Sequence, residues 1–100
     1  MYIREFQEMM ERIYSHRDLK RGANGTYRWL KEEIEELGEA IQGEDKRIIE
    51  DEFADVIAWL ASLANVLEID LEKSAIRKYN DRCPKCRTSP CKCPSEIDAV

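Results

Sequence analysis

The sequence predicts an all-α fold: an antiparallel helical hairpin with flanking helices, which completes a helical bundle by dimerisation. Three observations predict it. Apolar residues recur at three-and-four spacing along most of the chain, and no alternating run is long enough for a strand. A turn of only a few residues around Glu44 separates two such stripes, which makes the stripes antiparallel neighbours. A chain of 100 residues with 43% hydrophobic content buries a modest core alone, so a second copy would complete it.

The first helix is expected over Tyr2 to Ser15, where Ile3, Phe6, Met9, Met10, Ile13 and Tyr14 share a face. A loop is expected over His16 to Gly25, which holds two glycines and an Asn-Gly step. Thr26 is a candidate cap for the second helix. That helix runs to about Gln42 with the stripe Leu30, Ile34, Leu37 and Ile41, and Gly43 is a natural stop. Asp45 is positioned to cap the third helix, which carries Ile49, Phe53, Val56, Ile57, Leu60, Leu63, Ala64 and Leu67. Asp70 is positioned to cap a fourth, shorter helix ending near Tyr79. From Cys83 onward, cysteines and three prolines rule out a regular element. The chain thus divides into a helical domain, residues 1–82, and a Cys-rich tail, residues 83–100.

Charge is unevenly placed. Lys31 to Asp55 holds eleven acids and three bases, whereas Lys73 to Lys92 holds seven bases and one acid, Asp81. One stretch attracts cations and the other anions. Met1 to Ile13 is amphipathic and charged, unlike a signal peptide, and no stretch approaches the ~20 apolar residues of a membrane span. The expected location is the cytoplasm, with no membrane partner and no nucleic-acid partner.

The acids carry the chemistry. Glu32-Glu33-Ile34-Glu35-Glu36 lies on the second helix and Glu52-Phe53-Ala54-Asp55 on the third. An acidic run on one helix is commonly a solvated face. Two runs related by a hairpin are a different matter. At about 100° per residue, Glu33 and Glu36 lie about 70° and 130° from the second stripe, and Glu52 and Asp55 about 80° and 140° from the third, on same-handed flanks that converge. Glu36 and Glu52 are each eight residues from Glu44, and Glu33 and Asp55 each eleven. Mirror spacing therefore stacks the four carboxylates at matching heights. Glu32 points away from them. Such a patch is unfavourable without a cation. An all-oxygen set suits Mg²⁺ or Mn²⁺, and magnesium readily binds phosphates. A ferritin-type di-iron site would need Glu-x-x-His, and the single histidine, His16, lies outside both runs.

The Glu-Glu-x-x-Glu run at Glu32, Glu33 and Glu36, followed by Glu52-x-x-Asp55, resembles the signature of the MazG-like nucleotide pyrophosphohydrolases. The resemblance extends over about Thr26 to Arg82, and the Cys-rich tail is similar to that of small archaeal members. It implies an all-α fold and Mg²⁺-dependent cleavage of a nucleoside triphosphate, NTP or dNTP, to the monophosphate and pyrophosphate. It also implies a homodimer or higher homo-oligomer with sites near subunit interfaces. Carried onto this chain, the catalytic metal ligands are Glu33, Glu36, Glu52 and Asp55.

Trp59 lies about 20° from Glu52 on the helical wheel, where the family often has an aromatic near the base. Base stacking and packing in the dimer core are both open for it; Trp29 reads as packing. Lys73, Lys78, Asn80 and Arg82 are candidate phosphate contacts by resemblance, although Lys78-Tyr79-Asn80-Asp81-Arg82 departs from the family spacing. Arg77 reads as an ordinary charged face, while Arg17, Lys20 and Arg21 are further candidates in the first loop.

In the tail, Cys83-Pro84-Lys85-Cys86 and Cys91-Lys92-Cys93 place four thiols within eleven residues. In a cytosolic protein this reads as a metal site, with structural Zn²⁺ expected; a disulfide pair, a disordered reduced tail or, less readily at such short spacing, an iron-sulfur cluster stays open. The competing reading of the whole chain is a non-enzymatic helical dimer whose zinc knuckle binds a protein or nucleic acid. The paired spacing of the acids favours an enzyme, because a binding surface needs no such symmetry.

Overall fold

A computed structural model of the chain describes residues 1–94. Among the described residues there are three helices and no strand: α1 (Ile3–Gly43), α2 (Lys46–Val66) and α3 (Leu71–Lys78). The tail beyond residue 94 lies outside the described residues.

The first two expected helices are one interrupted element. Only Gly22 leaves helical geometry, at φ 80° and ψ 176°. This corrects the expected loop over His16 to Gly25, which is helical on both sides of that break. A straight helix of 41 residues would run about 60 Å, yet the longest dimension of the molecule is 44 Å. The break bends α1 into two arms that both lie against α2.

Local packing explains why so little chain is lost to the bend. Thr26 is fully buried inside the second arm and does not cap it. Its hydroxyl donates to the Gly22 carbonyl at 2.7 Å, one turn back, and so satisfies an acceptor at the break. Gly25 does not break the helix either. A Cβ there would stand 2.7 Å from Arg21 Cγ, so glycine leaves room for the Arg21 side chain to cross.

The hairpin forms as expected. Glu44 takes the left-handed conformation, φ 61°, and its N–H donates to the Ile41 carbonyl. Asp45 caps α2 by accepting from the Arg47 and Ile48 amides. Asp70 caps α3 by accepting from the Lys73 amide at 2.9 Å.

The buried side-chain amide of Gln7 fastens the far end. Its Nε2 donates to Asn65 Oδ1 and the Ile69 carbonyl, and its Oε1 accepts from the Leu71 amide. Arg4 adds ion pairs to Asp70 and Glu72. These contacts set α3 beside the start of α1, at the end of α2 away from the hairpin turn.

The core is sparse. Met10, Leu30, Ala61 and Ala64 are the buried apolar residues, while Ile34, Ile41, Ile48, Phe53, Ile57 and Leu60 on the hairpin are 40–57% exposed. No helix among the described residues is long and apolar enough to cross a membrane.

Candidate metal centre

Glu33 and Glu36 lie one turn apart on the second arm of α1, and Glu52 and Asp55 one turn apart on α2. The Glu44 turn brings the two pairs level. Carboxylate oxygens of Glu33, Glu36 and Glu52 come within 4.8 Å of one another. Asp55 stands outside that triad but acts electrostatically on Glu33 and Glu52. Glu32 is exposed and is not among the three clustered residues, in line with its place on the wheel.

Two of these carboxylates are unsatisfied. Glu33 Oε2 and Glu52 Oε2 are buried without a hydrogen-bond partner. Burial, a hydrogen bond to Glu36 and the charges of Glu36, Asp55 and Glu52 push the Glu33 carboxyl up to about 7. Burial and the charges of Glu36, Asp55, Asp51 and Glu39 also raise Glu52. Orphaned, mutually repelling oxygens at this spacing fit a hard divalent ion, whose opposed oxygen ligands stand about 4.2 Å apart for Mg²⁺.

A pH dependence follows. Between about pH 4.5 and pH 7 the folded Glu33 keeps a proton that the unfolded chain gives up, so folding favours the protonated side chain. Stability from this group is full below the unfolded pKa and is lost as pH rises through about 7. A divalent ion requires the deprotonated form, so its stabilising effect grows over the same range. Thermal melts at pH 5 and pH 8, with and without Mg²⁺, should show a much larger ion-induced rise in Tm at pH 8. Equal rises at both pH values would contradict this.

Beside the acids lies a cavity of about 200 Å³, lined by Met10, Tyr14, Arg17, Asp18 and Arg21 from the first arm and by Asp55, Ala58, Trp59 and Ser62 from α2. Asp55 therefore borders both the cavity and the triad. Trp59 stacks on Trp29 with ring centroids 5.6 Å apart, and the Arg21 guanidinium lies 4.7 Å from the Trp59 ring centre. Arg21 also pairs with Asp18 Oδ1 at 2.9 Å and donates to the Thr26 hydroxyl. Asp18 is only 2% exposed, and its Oδ2 has no partner.

The sequence had marked Trp59 and, more weakly, Arg17 and Arg21. Asp18 is not marked by the sequence, and Trp29, which reads as packing, packs on Trp59 while staying half-exposed. Lys73, Lys78, Asn80 and Arg82 do not line this cavity. Lys73 and Lys78 lie on α3, beside Asn65, which is about 15 Å of helix beyond Asp55. Within one chain they are not assembled with the acids. Cys83, Cys86, Cys91 and Cys93 gather in a separate cluster.

The family model described as the MazG nucleotide pyrophosphohydrolase domain matches residues 21–87, which is 67 of the 100 residues. The chain belongs to this family. No curated protein matches it. The match takes in the second arm, α2, α3 and all four acids, but it leaves out most of the first arm, including Asp18.

Proposed function

We propose that this member of the MazG nucleotide pyrophosphohydrolase domain family is a Mg²⁺-dependent enzyme that cleaves a nucleoside triphosphate to its monophosphate and pyrophosphate. The observation that carries the reading is the carboxylate triad with two orphaned buried oxygens, set against an aromatic cavity through Asp55. Glu33, Glu36, Glu52 and Asp55 hold the ion. When bound, it supplies positive charge against phosphate oxygens and acidifies a water. Asp55 reaches toward both spaces, so it is the acid best placed to orient the attacking water toward the α-phosphorus.

Trp59, braced by Trp29, supplies the surface for the base once the Arg21 guanidinium leaves its ring for phosphate. Arg17 and Arg21, on the cavity wall, supply cationic contacts to phosphate. The free Oδ2 of Asp18 is an acceptor and selects a base that presents an N–H donor. The apolar hairpin face, Ile34 to Leu60, is the surface for a second copy. If Lys73, Lys78, Asn80 and Arg82 contact the triphosphate, they do so from that second copy, because α3, which carries the two lysines and leads into Asn80 and Arg82, starts at the end of α2 away from the hairpin turn.

The test is pyrophosphate release from each common NTP and dNTP, with Mg²⁺ and with EDTA. Pyrophosphate and monophosphate in equal amounts, formed only with the metal, are expected. Release of orthophosphate, or no turnover of any triphosphate, would sink the proposal. Asp18→Asn should reorder the base preference by about tenfold or more, the scale of one hydrogen bond to a charged group. An unchanged ranking would remove Asp18 from base selection.

A further inference from the structure

Four sulfurs converge away from the carboxylates. The thiols of Cys83, Cys86, Cys91 and Cys93 are all free, and their Sγ atoms lie within 4.8 Å of one another. Cys83 and Cys93 are 3.8 Å apart, and Cys86 and Cys91 are 3.9 Å apart. A disulfide would close such a distance to about 2.05 Å. Sulfurs at the corners of a tetrahedron with metal–sulfur bonds of about 2.3 Å stand about 3.8 Å apart, the spacing of these two pairs.

The backbone is folded to hold them. The Arg87 amide donates to the Cys83 carbonyl at 2.7 Å, and the Cys83 amide donates to the Thr88 carbonyl at 3.0 Å. Arg87 takes the left-handed region, φ 61°, which an L residue avoids unless something holds it there. This tight turn aims the amides of Lys85 and Cys86 at Cys83 Sγ. The Lys92 amide lies 3.3 Å from Cys86 Sγ, and the Cys93 amide 3.4 Å from Cys91 Sγ.

We propose that Cys83, Cys86, Cys91 and Cys93 form a closed tetrathiolate site for one zinc ion, a second metal centre independent of the carboxylates. Four protein ligands leave no open position, so the role is structural. Soft sulfur and hard oxygen donors keep the two centres chemically distinct, the thiolates taking zinc and the carboxylates a magnesium-type ion. The segment has few apolar side chains of its own, and the ion takes the place of a core in ordering it behind α3. The family match ends at residue 87, between the two cysteine pairs, and does not account for Cys91 and Cys93.

The full chain, produced without added metal and desalted, should carry one zinc per molecule by elemental analysis. Exchange with Co²⁺ should give the intense ligand-field bands of a tetrahedral four-sulfur site. Cys91→Ser with Cys93→Ser should lose the zinc while the helical circular dichroism stays as in the parent, which separates loss of the site from loss of the fold. Four freely titrating thiols without metal would overturn the proposal. So would a mass four hydrogens lighter, from two disulfides, or iron in place of zinc. Zinc retained by the double variant would overturn it as well.

Discussion

Glu36→Ala should abolish pyrophosphate release and, in the same protein, raise the thermal stability of the cation-free state. The two effects have one cause. Glu36 lies one turn from Glu33 on the same arm and faces Glu52 across the hairpin, and its charge raises both of their pKa values. Without a cation that crowding is a cost, and deleting one charge relieves it. Relief of one like-charge pair at helical spacing is worth a few tenths of a kcal/mol, or about 1–4 °C in Tm. With substrate and Mg²⁺ the same deletion removes a ligand. Residues that only support metal ligands are worth about 10–100-fold when lost, so kcat/KM should fall by more than about 100-fold. Glu35→Ala, on an exposed face, is the control and should do neither. A Glu36→Ala protein that keeps activity would remove Glu36 from the metal centre. One that loses both activity and stability would show a structural role instead.

Gly22→Ala should destabilise the fold clearly. At φ 80° and ψ 176° the backbone occupies a region that is essentially glycine's own, and forcing another residue there costs about 1–3 kcal/mol, or roughly 4–20 °C in Tm. The cost is purely conformational, because a Cβ at Gly22 would meet nothing within 4 Å. Gly38→Ala makes the contrast. It too meets nothing within 4 Å, but it sits in regular helix, where alanine should stabilise by up to about 1 kcal/mol. Straightening at Gly22 would also carry Arg21 and Asp18 away from the cavity, so activity should fall with stability. Chemical denaturation of both variants tests the pair. Similar shifts for the two alanines would mean that the bend is not required by the fold.

Much of the site was legible because it depends on local rules. Helical rotation and rise, counted outward from Glu44, were enough to bring Glu33, Glu36 and Glu52 together and to leave Glu32 out, although Asp55, expected level with Glu33, stands outside that triad. Asp45 and Asp70 cap as side chains of their type do. The break in α1 was not legible in the same way. Asn24-Gly25 carries a turn signal, but a buried Thr26 hydroxyl and the crossing Arg21 side chain override it, and both effects need the tertiary structure. Asp18 was missed for the same reason. Its role exists only once the first arm is bent onto α2, an arrangement set by Gly22 and by the Gln7 contacts with Asn65, Ile69 and Leu71. The α3 cations looked near in sequence, but that same amide network sets α3 at the opposite end of the hairpin.

The Glu44 turn also decides where the chain can change length. One residue inserted anywhere in an arm between an acid and the turn rotates everything beyond it by about 100° and shifts it by about 1.5 Å, which would swing a pair of carboxylates off its partner pair. A residue inserted within the turn itself leaves each arm's face intact and costs little closure entropy. Length variation compatible with the four acids should therefore concentrate between Gly43 and Asp45, while residues 33–42 and 46–55 keep a fixed count.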